Sequence, residues 1–374
     1  MRKAFKYRLY PTDTQAAAMQ GQLDIAREVY NACLEERRAC YRATGKSLTY
    51  YDQANQLKEI RQLRPDGATA NYSMLQATCR RAHRAFENFY RHRKAGLTGG
   101  FPRFKGYHRF DSITFPSYGD GCKVVDNRVR LQAIGSIKVK MHRSVEGVIK
   151  TVTLKRACGK WYAVFSCDVG TPTLLPATGQ SIGIDVGLTH FLTTDTGATV
   201  ENPRPLRRTR RALRVAQRAL ARCKKGSARR GKVRHRVAAL HQKVANTRRD
   251  VHHKTARTLV DANDTICHED VAVANMVKNH SLAKAIHDAA WGQFITILTS
   301  KAEEAGRQVI AVDPRGTSQT CVCGATVPKT LRDRWHDCPA CGLSLPRDQV
   351  SAILIKRLGH SRQAQTWRDT ASVA

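Results

Sequence analysis

The stretch at residues 181–197 constrains the fold of this chain more than any other, because it places an acid inside a strand pattern. An apolar run ends in Asp185, and Val and Gly lead into a second run rich in Leu, Phe and Thr. This pattern predicts a β-hairpin that opens a mixed sheet, with Asp185 on a central strand. A carboxylate buried in a sheet is costly unless a cation compensates it, and a divalent metal ion would do so.

Two downstream acids provide the further ligands that a metal ion would need. Glu269 lies near the end of a second strand-like run at 263–273, and Asp348 lies at the start of an apolar helical run at 346–358. Carboxylates on two strands and a helix start can bridge two ions about 3.5 to 4 Å apart, as phosphodiester-cleaving sites require. Acids in buried strands also act as turn or cap residues, so the spacing alone leaves both interpretations open.

The net charge of +34 predicts a polyanionic partner. Such an excess opposes a compact fold unless nucleic acid neutralises it, although a ribosomal-type or otherwise merely basic protein is an alternative. No stretch is long and apolar enough to span a membrane, and no signal peptide opens the chain. We therefore expect a cytoplasmic protein without a membrane partner, whose twelve cysteines stay reduced.

The first half of the chain changes from one strand to helices and then back to strands. Residues 2–10 alternate basic with apolar side chains and predict a strand, after which a helical pattern continues to about residue 95. Period-two segments within 112–169 predict five strands, with a turn at 126–127. Together with the first strand they would form a small closed or half-closed β barrel into which the helices are inserted.

The most basic segment lies between the first and second acids. From residue 204 to residue 257 there are 20 Lys and Arg residues against a single acid, Asp250. Leu206, Leu213 and Leu220 recur every seven residues, which predicts two helices packed as a hairpin, whereas a disordered basic tail would keep no apolar seam. We expect this hairpin to follow the phosphates of a nucleic-acid duplex by charge and shape, without reading bases.

Four cysteines have the spacing of a zinc ribbon. Cys321 and Cys323 form one close pair and Cys338 and Cys341 the other, across a loop of fourteen residues. They predict a structural Zn²⁺ site. The first pair is Cys-x-Cys, one residue tighter than the second, so either the zinc affinity is reduced or His336 replaces one thiolate.

Four motifs resemble those of the TnpB family of transposon-encoded, RNA-guided DNA endonucleases, which have a RuvC-like nuclease domain and are related to type V CRISPR effectors. They are GlyIleAspValGlyLeu at 183–188, HisGluAspValAlaValAlaAsnMet at 268–276, ThrSerGlnThrCysValCysGly at 317–324 and ArgAsp at 347–348. The similarity covers nearly the whole chain, from TyrArgLeuTyrPro at 7–11 through GlyPheProArgPheLys at 100–105. One motif departs from the family pattern, because Pro346 and Val350 replace an acid and an amide.

The resemblance implies an α+β multidomain fold. It consists of an RNase H-like (RuvC) mixed sheet with an inserted helical hairpin and a zinc ribbon, and of a β-barrel wedge domain with an inserted helical lobe. The predicted boundaries are 1–10 and 101–176 for the wedge, 11–100 for the helical recognition domain, 177–317 and 346–374 for the nuclease, and 318–345 for the zinc ribbon.

The resemblance also implies that Asp185, Glu269 and Asp348 are catalytic acids that hold two Mg²⁺ ions. The implied partners are a guide RNA from the protein's own locus and double-stranded target DNA, cut beside a short flanking motif, and the implied setting is bacterial, with activity at the nucleoid. Tyr50 and Gln76 match positions near that motif, although either could simply pack or cap.

Three other interpretations remain open. The altered residues around Asp348 are compatible with a nuclease-weak or inactive RNA-guided repressor. A miniature type V CRISPR effector would be recognised by a neighbouring repeat array in place of a transposon end. A basic RNA chaperone without chemistry would show no dependence on magnesium.

Overall fold

The structure, a computed structural model, describes residues 1–371 apart from 64–68, 108, 173 and 331–332. The chain divides into two compact units, Met1–Thr171 and Pro172–Ala374. Within the described residues, no helix combines the length and the apolar character that crossing a membrane requires.

The first unit is built on an antiparallel sheet of seven strands. They are β1 (Arg2–Tyr10), β2 (Ser112–Phe115), β3 (Cys122–Val125), β4 (Arg128–Leu131), β5 (Gly135–Lys140), β6 (Val148–Ala157) and β7 (Lys160–Asp168). The order is β2-β6-β7-β1-β5-β4-β3, so the N-terminal strand lies at the centre. No ladder among the described residues joins the edge strands β2 and β3, so hydrogen bonding does not close this sheet into a barrel.

The alternating pattern of β1 buries Phe5, Tyr7 and Leu9 and leaves the basic residues between them at the opposite face. The predicted count of five strands after β1 is wrong. Asp126 and Asn127 both adopt positive φ and form the predicted turn, and that turn divides one predicted strand into β3 and β4. Within the described part of the first unit, six strands therefore follow β1.

The helices of the first unit lie between β1 and β2 in the chain, as predicted. They are α1 (Asp13–Thr44), α2 (Tyr50–Asn55), α3 (Leu57–Leu63) and α4 (Tyr72–Lys94). Residues 64–68 of the predicted helical stretch lie outside the described residues. A capping box starts α1, since the Thr12 hydroxyl accepts from the Gln15 N–H and the Gln15 side chain accepts from the Thr12 N–H. The apolar faces of α1 and α4 share one core with the sheet.

The second unit contains a mixed sheet of five strands. They are β8 (Ser181–Val186), β9 (His190–Thr194), β10 (Thr199–Glu201), β11 (Thr265–Glu269) and β12 (Gln308–Val312), in the order β10-β9-β8-β11-β12. The β8–β9 hairpin is antiparallel, whereas β8, β11 and β12 are parallel. Asp185 therefore lies on a central strand of a mixed sheet, which confirms the prediction made from its sequence.

The described part of the second unit also contains six helices and a small hairpin. They are α5 (Pro205–Arg222), α6 (Ala228–Ala262), α7 (Val273–Met276), α8 (His280–Ala289), α9 (Trp291–Ala305) and α10 (Arg347–Ala371), with strands β13 (Trp335–Asp337) and β14 (Ser344–Pro346) before α10. The predicted basic hairpin is present as α5 and α6. Helices α8 and α9 are separate, because Ala290 adopts a left-handed conformation with φ 54° between them. Trp291 is a buried core residue.

Asp288 of α8 connects the basic hairpin α5–α6 to the rest of the second unit. Its carboxylate accepts hydrogen bonds from the N–H groups of Leu206 and Arg207, at 2.9 and 3.1 Å. These donors belong to the first turn of α5 and have no partner within the helix. The same buried carboxylate lies 3.4 Å from the guanidinium of Arg248 on α6. One acid thus caps α5 and neutralises a cation on α6.

Gly183 allows α10 to pack directly on β8. A Cβ here would overlap the carbonyl oxygen of Ala352 and lie 2.9 Å from the backbone N of Lys356, two atoms that cannot rotate away. We expect Gly183→Ala to lower the free energy of unfolding by about 3 kcal/mol, measured by urea denaturation. The control is Gly292→Ala, whose Cβ would meet nothing within 4 Å and should cost nothing. Equal stability of the two variants would contradict this packing.

Candidate functional site

Asp185 and Glu269 lie at the carboxyl ends of adjacent parallel strands. Ile184 of β8 and His268 of β11 are register partners, so the residues that follow them are level with one another. Neighbouring strands are about 4.8 Å apart. Asp348 lies in the first turn of α10, which packs against β8. The fold therefore brings together the three acids predicted from the sequence.

The pKa values of Asp185 and Glu269 are both raised, and for Asp185 the neighbouring carboxylates contribute to the rise. Burial raises the pKa of Asp185 well above its usual value, and repulsion by Glu269 and Asp348 raises it further, against the opposing effect of the Arg347 guanidinium. Burial also raises the pKa of Glu269, while a hydrogen bond from Thr317 opposes that rise. Three carboxylates with one adjacent guanidinium leave an excess of negative charge, which a divalent cation would neutralise.

Two residues hold the acids and were not singled out by sequence reasoning. The Thr317 hydroxyl donates a short hydrogen bond to Oε1 of Glu269. Nε of Arg347 lies 3.3 Å from Oδ1 of Asp348, and the Arg347 N–H donates to the carbonyl of Arg334 at 2.9 Å. Both residues belong to motifs already recognised in the sequence. Thr317 precedes the first cysteine pair and Arg347 directly precedes Asp348. These positions were the sequence signal that could have identified them.

A polar clamp fixes the start of α10 relative to β8. The Lys356 ammonium lies 2.8 Å from Oδ2 of Asp195, and the Gln349 amide donates to the Asp195 carbonyl at 3.3 Å. Oδ1 of Asp195 accepts from the N–H of Gly183 at 3.3 Å. Val350 is buried. In this chain the neighbouring Gln349 supplies an amide that supports the helix carrying Asp348.

The four predicted zinc ligands lie together. Among the described residues, Cys321, Cys323, Cys338 and Cys341 are the one group of three or more His, Cys, Asp or Glu whose ligand atoms all lie within 4.8 Å of one another. The Sγ atoms of Cys321 and Cys341 are 3.6 Å apart, and those of Cys323 and Cys338 are 3.7 Å apart. Four convergent thiols suit a structural zinc ion, so the short first pair does not prevent convergence.

His336, the alternative zinc ligand, is not a member of the thiol group. It is fully buried on β13, and its Nδ1 contacts the ammonium of Lys329. Burial and the nearby Lys329 charge both lower the pKa of His336. A neutral imidazole paired with Lys329 fits a structural role beside the cysteines better than replacement of one of them.

Tyr50 and Gln76 line one cleft of the first unit, with a volume of about 1300 Å³. Three arginines of α4 line the same cleft: Arg80, Arg81 and Arg84. The guanidinium carbon of Arg80 lies 4.8 Å from the centre of the Tyr50 ring. The cleft thus combines cations with the rings of Tyr30, Tyr50 and Tyr118 and the amides of Gln76 and Asn88. The role of Tyr50 and Gln76 stays a prediction.

Family models match three parts of the chain. A model described as "Probable transposase" matches residues 164–280, the "Cas12f1-like, TNB domain" matches residues 291–355, and a "Helix-turn-helix domain" matches residues 1–46. In this last range the structure has β1 followed by the single long helix α1.

Relatives match over almost the full length. A Streptomyces pristinaespiralis protein named "Putative RNA-guided DNA endonuclease" is 33% identical over 91% of this chain and 86% of its own. The Escherichia coli K12 protein of the same name, with the suffix InsQ, is 29% identical over 96% of this chain and 92% of its own. A solved structure of the "mini-RNA-guided endonuclease CRISPR-Cas_phi3" aligns with a TM-score of 0.48 and 10% identity, covering 96% of this chain and 92% of that one.

Proposed function

The chain belongs to the TnpB family, and we propose that it is a metal-dependent, RNA-guided DNA endonuclease encoded by a transposon. The observation that carries this proposal is the cluster of Asp185, Glu269 and Asp348, whose excess negative charge is half-buried at the end of the central strands. Such a cluster destabilises the fold, so its presence is best explained by a cation that the site binds.

The three acids are proposed to hold two Mg²⁺ ions. When bound, the ions would polarise the scissile phosphate and favour ionisation of the attacking water. The Asp185 carboxylate is repelled by both Glu269 and Asp348, so the three acids would act together as one set of metal ligands. Thr317 fixes one carboxylate oxygen of Glu269, and the clamp on Asp195 holds the helix that carries Asp348. These contacts supply the rigid ligand orientation that metal catalysis needs.

The two units are proposed to have different functions. In the first, the sheet would be the wedge domain and helices α1–α4 the recognition domain. In the second, the mixed sheet with α10 would be the RuvC-like nuclease, and residues 318–345 its zinc ribbon. A mixed sheet with an acid on its central strand supports the RuvC-like assignment, and the convergent thiols support the ribbon.

The basic surface is proposed to bind the nucleic acids. Hairpin α5–α6 carries most of the cations of the 204–257 segment and would follow the phosphates of a heteroduplex between guide RNA and target DNA. Base pairing would then select the target, and the cleft lined by Tyr50 and Gln76 would read the short flanking motif. The arginines of this cleft offer donors for base edges or phosphates.

The test is cleavage of a supercoiled plasmid library by protein co-purified with RNA from its own locus. We expect cuts at guide-matched sites beside one recurrent motif with Mg²⁺ and none with EDTA. Tight guided binding without cuts under both conditions would contradict the endonuclease and favour a repressor, for which the altered residues Pro346 and Val350 provide a reason. Absence of guided binding would contradict the whole proposal.

A further inference from the structure

The segment from Phe101 to Tyr107, between α4 and β2, exposes three aromatic side chains. Phe101, Phe104 and Tyr107 are 45%, 43% and 44% exposed. Three half-exposed aromatic rings thus lie within seven residues, and exposed apolar side chains that occur close together can mark a binding site. Neither the metal centre nor the cleft beside Tyr50 gives these rings a role.

This segment is held in place by the helices beneath it. The side-chain amide of Asn31 on α1 brackets Lys105, accepting from its N–H at 2.8 Å and donating to its carbonyl at 3.0 Å. Phe101 packs edge-on against Phe86 and Phe89 of α4, with ring centres 5.5 and 5.3 Å apart. The rings are therefore positioned before any ligand arrives, which lowers the entropic cost of binding.

Arginines lie against two of the rings. The guanidinium carbon of Arg38 is 5.4 Å from the centre of Phe104, and those of Arg27 and Arg156 are each 5.6 Å from the centre of Tyr107. Ion pairs with acids on α1 help to orient Arg27 and Arg38. Aromatic rings and guanidinium planes are the groups on which unpaired bases stack.

A free cation lies within the same segment. Arg103 is exposed and makes no hydrogen bond or ion pair with the described part of the chain. It is available for a phosphate of the strand whose bases occupy the rings. We call Phe101, Arg103, Phe104 and Tyr107, with the three arginines behind them, the aromatic platform.

We propose that the aromatic platform binds unpaired nucleotides of the guide RNA by stacking. A duplex does not suit it, because bases inside a duplex cannot reach protein rings. The net charge of +34 favours a polyanion over a protein partner. A guide RNA that stays bound would cover these rings throughout, whereas a DNA target would cover them only while it is bound. Only the identity of the strand as guide RNA rests on the proposed function.

The first test measures binding of fluorescent oligouridylate to RNA-free protein at about 0.5 M salt, where phosphate contacts are weakened. Phe104→Leu and Tyr107→Leu should each weaken binding about 10-fold with an unchanged salt dependence, since they remove a ring and no charge. Phe104→Trp should bind at least as tightly as the parent. Arg103→Ala should instead reduce the salt dependence. If both leucine variants bound oligouridylate with the parental affinity, the proposal that the aromatic platform stacks bases would be wrong.

The second test identifies the occupant in the assembled complex. RNA from the protein's own locus, carrying photoreactive 5-iodouridine, should cross-link to the peptide containing Phe104 and Tyr107. A cross-link that forms only from iodinated single-stranded DNA would overturn the RNA assignment. Leucine variants that lose self-association of the RNA-free protein would show an interface between copies and overturn it as well.

Controls separate this proposal from folding and from the proposed function. The RNA-free leucine variants should unfold within about 2 °C of the parent, because both side chains lie at the surface. Oligouridylate binding needs no cleavage, so a platform that stacks bases in a protein that never cuts DNA would disprove the endonuclease alone. Guided cleavage with parental RNA affinity in both leucine variants would disprove the platform alone.

Discussion

Asp185→Asn is expected to abolish guided DNA cleavage, with a loss of at least about 1000-fold, while guided DNA binding stays within a few-fold of the parent. Asn keeps the size of the side chain and removes the charge that would bind the metal ions. The basic hairpin α5–α6 and the cleft beside Tyr50 are unaffected by this change. Cleavage of a matched plasmid and mobility shifts on the same target measure the two quantities. Parental cleavage by Asp185→Asn would refute the assignment of the site.

The same variant should be more stable than the parent when metal is absent. The folded state raises the pKa of Asp185, so its stabilising contribution is present below the unfolded pKa of about 4 and is lost as the pH rises. At pH 7.5 in EDTA we expect Asp185→Asn to unfold about 2 °C or more above the parent, with the difference vanishing near pH 4. Magnesium should then stabilise the parent more than the variant. If the parent were more stable than Asp185→Asn in EDTA, the conclusion that the charge of Asp185 destabilises the metal-free fold would be wrong.

The acidic site was predictable because each acid interrupts a strong local pattern. Asp185 ends an apolar strand run, Glu269 ends another, and Asp348 starts an apolar helix, and all three elements are present in the structure. Parallel pairing of β8 and β11 then places two of the acids side by side. The cysteine cluster was predictable for a similar reason, since its ligands lie in two short pairs.

The Lys356–Asp195 and Thr317–Glu269 contacts were not predictable, because each joins residues that are distant in sequence. The Lys356–Asp195 ion pair spans 161 residues, and the Thr317–Glu269 hydrogen bond spans 48. A periodic pattern predicts which face of an element is buried. It does not predict which polar groups of different elements form contacts. The boundary between α8 and α9 also lacks a sequence signal, because an alanine in the left-handed conformation, as at Ala290, leaves an apolar helical pattern unchanged.

Removal of zinc is expected to weaken magnesium binding at the acids. In sequence, the ribbon at 318–345 lies between Thr317 and Arg347. Thr317 donates a hydrogen bond to Glu269, and Arg347 pairs with Asp348. The backbone N–H of Arg347 also donates to the carbonyl of Arg334 within the ribbon. A ribbon of this size has little core, so loss of the metal should disorder it and release both contacts. Cys338→Ser should therefore lose zinc and need at least about 10-fold more magnesium for half-maximal cleavage, with guided binding retained.

Two variants distinguish this positioning effect from general damage. Cys40→Ser removes a thiol from α1, outside the zinc group, and should change neither the zinc content nor the magnesium requirement. Thr317→Val removes one hydroxyl and leaves the ribbon intact, so zinc should stay bound while the magnesium requirement rises about 10-fold, as for other residues that orient metal ligands. Zinc content by mass spectrometry and magnesium titrations of cleavage measure both effects. A zinc-free protein with the parental magnesium requirement would show that the ribbon does not position the acids, whereas a matching rise in Cys338→Ser and Thr317→Val would place the coupling at Glu269.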